Sequence, residues 1–117
     1  LEQDMTKYVQ AFVRVGNLAQ KAETAAMDEA RFTLPEEKAL YAAYTVAAAS
    51  VHTCIAGQDY AGAVEALKPL AAPIDSFFDA VMVMDKDAAI RSNRLGLLKS
   101  MDLLIGEIAD FGKLVMA

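Results

Sequence analysis

The sequence predicts an all-α fold, a single compact bundle of about five helices, on three observations. Apolar residues in several stretches recur at the three- and four-residue steps that place them on one helix face. Residues that cap, start or terminate helices separate these stretches: Thr33 to Glu36, Gly57, Asp59, Pro69, Pro73 and Asp85. With 117 residues, 56% of them hydrophobic, the chain is long enough for one packed core.

The first helix is expected over Asp4 to Ala22, with Met5, Tyr8, Val9, Phe12, Val15 and Ala19 on the inward face and Lys7, Gln10, Arg14, Asn17 and Lys21 opposite. Steps of seven residues are nearly two full turns, so Lys7, Arg14 and Lys21 should form a line of cations. Glu23 to Phe32 mixes acids with small residues and reads as irregular, with alanines that support at most a short turn. Thr33-Leu34-Pro35-Glu36 reads as a capping box, with the proline where no donor is needed. The second helix then runs to Ala56, with Leu40, Tyr44, Ala47, Val51, Cys54 and Ile55 inward and Gly57 ending it in the left-handed conformation. Asp59 caps a third helix through Leu67, Pro69 closes or kinks it, and Pro73 opens a short fourth helix with Ile74, Phe77, Phe78 and Val81 inward. Val81 to Met84 suits a short extended connector, after which Asp85 caps a long last helix over Lys86 to Leu114. Ile90, Leu97, Leu98, Met101, Leu104, Ile105, Ile108 and Val115 form its apolar stripe.

Several function classes are disfavoured by composition. The formal net charge of −5, from 16 acidic and 11 basic residues, argues against indiscriminate nucleic-acid binding and confines any RNA role to a local basic patch. One cysteine, Cys54, leaves no intramolecular disulfide framework and suits a reducing, cytoplasmic setting. The opening Leu1-Glu2-Gln3-Asp4 is unlike the basic-then-apolar start of a signal peptide. Ala39 to Gln58 carries no charge, yet its alanines and its Thr45, Ser50, His52 and Thr53 fit lipid poorly, and a central helix covered by its neighbours is the better reading, with no membrane role. His52 and Cys54 lie about 200° apart on a helix and cannot share a catalytic or metal site, so no metal ligand set is expected. The methionines read as core filler, and no Gly-rich phosphate loop is present.

The most informative run is Asp87-Ala88-Ala89-Ile90-Arg91-Ser92-Asn93-Arg94-Leu95. Arg94 falls on the apolar stripe of the last helix, so its guanidinium needs a carboxylate partner, and Asp75 or Asp79 are the candidates by order along the chain. Arg91 lies at the border of the stripe, where a cation stays solvated and reaches phosphate. Leu95 and Leu103 fall outside the stripe and imply that the helix is covered on a second side.

The Asp-Ala-x-x-Arg pattern at Asp87 to Arg91 resembles the DALR anticodon-binding domain found at the C-terminal end of several aminoacyl-tRNA synthetases. The flanking Pro73 to Met84, Ile90 to Leu98 and Ile108-Ala109-Asp110-Phe111, with Arg14-Val15-Gly16-Asn17-Leu18 and Leu34-Pro35-Glu36-Glu37 upstream, resemble the C-terminus of the bacterial glycyl-tRNA synthetase beta subunit. Val13 departs from that family, which usually has a basic residue there.

The resemblance implies one non-catalytic domain, residues 1–117, cut from the end of a larger subunit. It would bind the anticodon stem-loop of glycine tRNA while ATP- and magnesium-dependent glycylation proceeds elsewhere. The implied partners are the remainder of the beta subunit and a catalytic alpha subunit, with no DNA. Lys7, Arg14, Lys21 and Arg91 are the phosphate-contact candidates and Asn17 the base-edge candidate. The alternatives are the DALR domain of an arginyl- or cysteinyl-tRNA synthetase, against which Phe77-Phe78 and Asn93-Arg94-Leu95 speak, and a helical subunit-docking module without RNA contact. A cofactor-binding four-helix bundle lacks the ligands it would need.

Overall fold

Helix caps set the boundaries of the architecture. A computed structural model describes the backbone of residues 2–116 and the side chains of residues 9–109. Among the described residues there are five α-helical segments and no strand: α1 (Glu2–Ala19), α2 (Pro35–Ala56), α3 (Tyr60–Leu67), α4 (Ala71–Ala80) and α5 (Ala88–Met116). A 3-10 turn, Lys68–Leu70, carries α3 into α4 without a break, so the five segments form four rods. The chain is all-α, as its periodicity predicts.

Three caps differ from the sequence expectation. The box that opens α2 is shifted by one residue: the N–H of Leu34 donates to Glu37 Oε1 at 3.2 Å, and Pro35 is the first helical residue. Thr33 and Glu36 are therefore not the capping pair. At the other end of α2, Gly57 has a right-handed φ of −86°, and Gln58 takes the left-handed conformation at φ 60°. The amide of Asp59 closes that turn on the Cys54 carbonyl at 2.7 Å. The last helix is capped by Asp87 instead of Asp85, its Oδ1 accepting the N–H groups of Ala89 and Ile90. Asp59 does cap α3, accepting the Gly62 N–H at 2.9 Å.

The core gathers Ala11 and Val15 of α1, Leu40, Ala47 and Val51 of α2, Ile74 and Phe77 of α4, and Leu95, Leu97, Leu98, Met101 and Leu104 of α5. Val9 is exposed, not inward, because the buried face of α1 runs through Ala11, Val15 and Ala19. Ile90 is likewise exposed, since the first turn of α5 projects past the helices that cover Leu97 onward. Leu95 is buried within the bundle while Leu103 is open. Met5, Tyr8 and Val115 lie outside the described side chains.

The helix α2 is long and apolar enough, by length and composition alone, to cross a membrane. It packs on α3, α4 and α5 through one face only, leaving Ala39, Ala42, Thr45, Val46, Ala49 and Thr53 exposed, so it is not enclosed as expected. The two potential reactive side chains on it diverge. His52 Nε2 meets Glu107 Oε2 of α5 at 2.8 Å, while Cys54 Sγ lies where a Cβ on Gly62 of α3 would meet it.

Candidate nucleic-acid interface

The segment between α1 and α2, residues 20–34, is held by burial of Phe32 against the core near its end and, along its middle, by hydrogen bonds to α5. Buried Asn93 makes a two-way exchange with the backbone of Asp28: its Oδ1 accepts the Asp28 N–H at 2.6 Å and its Nδ2 donates to the Asp28 carbonyl at 3.2 Å. Ser100 Oγ lies 3.1 Å from the Ala25 carbonyl and 3.0 Å from that of Gly96, and donates to either. Between them, Gly96 lets the Ala26 backbone lie directly on α5, in space that any Cβ would occupy. Asn93, Gly96 and Ser100 are three, four and seven residues apart, a polar seam along one face of the helix.

On the neighbouring face, Arg94 fixes two further segments. Its Nε and Nη2 each donate to Glu37, to Oε2 and Oε1 at 3.3 Å, and its Nη1 donates to the Met82 carbonyl at 2.7 Å and lies 3.7 Å from Asp85 Oδ2. The carboxylate that caps α2 is thus the one that neutralises Arg94. Asp75 and Asp79 are not its partners, because both are exposed on the outer side of α4, where Asp75 sits 4.0 Å from Arg14. With its donors committed to buried Glu37, the Met82 carbonyl and Asp85, Arg94 has a structural role.

These attachments shape two adjoining clefts at the start of α5 that share Ala89 and Ser92. One, of about 410 Å³, is lined by Lys21, Glu23, Arg91 and Leu95 among others; the second, of about 330 Å³, by Met27, Asp28, Arg31 and Asn93. Half-buried Arg91 donates through Nη1 to the Asp85 carbonyl at 3.1 Å, which aims it without neutralising it. Lys21 is exposed and has no ion-pair partner among the described residues. The amides of Ala89 and Ile90 are occupied by Asp87, so anion contacts here fall to the side chains of Lys21, Arg91 and Arg31.

The expected line of cations on α1 is broken. The helix stops at Ala19, so Lys21 stands in the following turn beside Arg91. Arg14 instead faces α4, stacked 4.3 Å from the centre of the Phe78 ring and beside Asp75. Asn17 is exposed on α1 and lines neither cleft, and the Lys7 side chain lies outside the described residues. Sequence reasoning did not assign Arg31, Asn93 or Glu37. The seam of Asn93, Gly96 and Ser100 inside an apolar helix was the available signal for Asn93, since polar and small residues at that spacing imply packing against backbone.

The family described as DALR anticodon binding domain matches residues 8–110. The chain is 43% identical over 103 residues to the glycine–tRNA ligase beta subunit of Desulforudis audaxviator, covering 88% of this chain and 15% of that protein. The corresponding subunit of Thiobacillus denitrificans is 40% identical over 104 residues, and that of Geobacter metallireducens 41% over 104, covering 86% and 89% of this chain and 15% of each relative. The chain therefore spans about 15% of the length of these relatives. No solved structure gives a significant match.

Proposed function

The chain belongs to the DALR anticodon binding domain family, and from that membership and the clefts beside α5 we propose that it holds the anticodon loop of a glycine tRNA for a glycine–tRNA ligase. The observation that carries the reading is the convergence of Lys21, Arg31 and Arg91 on adjoining clefts of an otherwise acidic chain. Unpaired loop nucleotides need phosphate contacts that fix register and base contacts that specify sequence, and rigidly attached loops provide both. In this proposal the domain is the end of a beta subunit, works in the cytoplasm with a catalytic alpha subunit, and leaves glycine activation with ATP and magnesium to other parts of the enzyme.

The test is tRNA binding by the full-length protein that carries this domain, with Lys21→Gln and Arg91→Gln. Affinity falls, and the dependence of log affinity on log salt flattens by about 0.7 for each lost single-strand phosphate contact. Arg14→Gln, whose guanidinium is tied to α4, costs less; Lys7→Gln and Asn17→Ala complete the panel. Unchanged affinity and slope in the Lys21 and Arg91 variants refute the reading. A docking role without RNA contact is the second reading, favoured by exposed Met82, Met84 and Leu103. It predicts that serine at these positions weakens subunit assembly and leaves tRNA affinity within the assembled enzyme unchanged.

A further inference from the structure

We propose that the cleft between residues 26–31 and the first turns of α5 receives one unpaired nucleobase, whose hydrogen-bonding edge is read jointly by Asp28 and Arg31. This inference rests on the RNA-loop reading above and deepens it by naming what occupies one of its two clefts.

The cleft has the size and the wall chemistry for a single base. Its volume of about 330 Å³ lies at the small end of the range of small-molecule sites, roughly 300–1,000 Å³. Ala26, Met27 and Ala89 supply apolar surface for a ring face, and the polarizable thioether of Met27 suits a π system. Asp28, Arg31 and Ser92 supply the polar rim.

Asp28 Oδ2 stands 3.6 Å from Arg31 Nε, and both side chains are 59% exposed. Together they present an acceptor beside a row of donors, the complement of a base edge, on which donors and acceptors also lie side by side. Neither partner alone suits the other obvious ligands: the carboxylate repels a phosphate, and the guanidinium repels a metal cation.

The contacts that anchor the loop also fix where the Asp28 carboxylate stands. The backbone N–H and carbonyl of Asp28 are both bonded to buried Asn93, and its Oδ1 caps the 3-10 turn Glu29–Arg31 by accepting the Ala30 N–H at 3.0 Å, which orients the carboxylate with Oδ2 toward Arg31. Asn93 fixes the Asp28 main chain and so the place of the carboxylate, while the exposed ion pair itself adds little to folding. A carboxylate already held in place loses less entropy when it meets a base edge. Across the shared wall of Ala89 and Ser92, Lys21 and Arg91 are placed for the phosphate of the same strand.

The experiment uses the full-length protein carrying this domain, with its catalytic partner. The probes are glycine tRNA transcripts in which each anticodon-loop base is replaced in turn by an abasic site and by the other three bases. Asp28→Asn preserves an oxygen for the Ala30 cap while converting an acceptor-only group into one that also donates; its thermal unfolding should match the wild type.

One loop position is expected at which base loss weakens wild-type binding by about tenfold or more, the size of one bidentate base contact. There the Asp28→Asn protein shows a changed base preference and little further loss with the abasic tRNA, at an unchanged salt slope. Lys21→Gln with Arg91→Gln flattens the slope and keeps the base preference. If Asp28→Asn leaves base preference unaltered at every position while the cation variants weaken binding, the base pocket is overturned and the RNA reading stands. If none of the variants changes tRNA binding, both fall. A loss confined to subunit assembly also overturns the pocket and favours a protein partner.

Discussion

Replacing Arg94 by leucine should cost this domain more than any other single charge removal, because of where the stranded partner lies. Glu37 has a side chain only 2% exposed, and Arg94 supplies two of its three hydrogen bonds. Arg94→Leu leaves that carboxylate with the Leu34 N–H alone, a situation worth about 3–5 kcal/mol when one member of a buried pair is removed. For a chain of this length each kcal/mol corresponds to about 4 °C, so Tm should fall by about 15 °C. Glu37→Gln is milder, about 1.5–3 kcal/mol. Its amide oxygen still accepts from Leu34, and the guanidinium retains the Met82 carbonyl and the Asp85 carboxylate at 3.7 Å. The double variant Arg94→Leu with Glu37→Leu strands no charge and should lose less than the two leucine singles together, by about 2 kcal/mol of coupling. Asp75→Ala and Asp79→Ala, both on exposed residues, should stay within about 0.5 kcal/mol of wild type. Urea denaturation followed by circular dichroism measures all six, the Glu37→Leu single included. Strict additivity in the double variant, or an Arg94→Leu loss below about 1 kcal/mol, refutes the account of the pair.

Two further outcomes follow from backbone geometry. Gly96→Ala would improve the intrinsic helix propensity of α5 by about 1 kcal/mol, yet its Cβ would occupy the place of the Ala26 carbonyl. The expected result is a net loss of stability with faster proteolysis of residues 20–34 and weaker tRNA binding; a stabilised, protease-resistant variant contradicts it. Gln58→Gly should stabilise the domain by up to about 1 kcal/mol, because Gln58 holds φ 60° at the end of α2. Gly57→Ala, at φ −86°, should be tolerated, and the opposite ranking of the two variants in Tm would restore the turn expected from sequence.

Periodicity made the helices legible because burial of apolar stripes sets both their existence and their inward faces. Leu40, Ala47 and Val51 of α2, or Leu97, Leu98 and Met101 of α5, could be read directly. Caps were less legible, since chemically similar neighbours compete. Glu37 displaced Glu36 because one carboxylate position serves both the Leu34 amide and Arg94, a gain that only the folded arrangement provides. The same long-range term hid the partner of Arg94: Glu37 lies 57 residues upstream, on a different helix from the acids nearest in motif order. At the candidate site, Lys21 and Arg91 were picked out by charge, whereas their meeting in one cleft depends on α1 ending at Ala19. Arg31 was hidden for a different reason. Its irregular segment gains a fixed place only through long-range contacts: the Asn93 clamp on Asp28, the Ser100 bond to Ala25 and the burial of Phe32.

The two adjacent residues Asn93 and Arg94 explain how an acidic domain can present a local cationic site. Each faces a different segment: Asn93 anchors the loop that carries Arg31, and Arg94 anchors the start of α2 and the connector that receives Arg91. Charges farther apart than a Debye length, about 8 Å at physiological salt, contribute little to one another, so the remote part of the net −5 does not cancel Lys21 and Arg91, whereas Asp28 offsets Arg31 and Glu23 shares the Lys21 cleft. The net charge does oppose a long polyanion laid along the outside of the bundle. Under the proposed reading, the arrangement penalises extended, sequence-independent contact and favours a short strand that enters the clefts, with its phosphate at Lys21 and Arg91 and a base edge at Asp28 and Arg31. In that reading the domain gives up phosphate-driven affinity for base-edge specificity, which suits a reader of tRNAs that share one backbone.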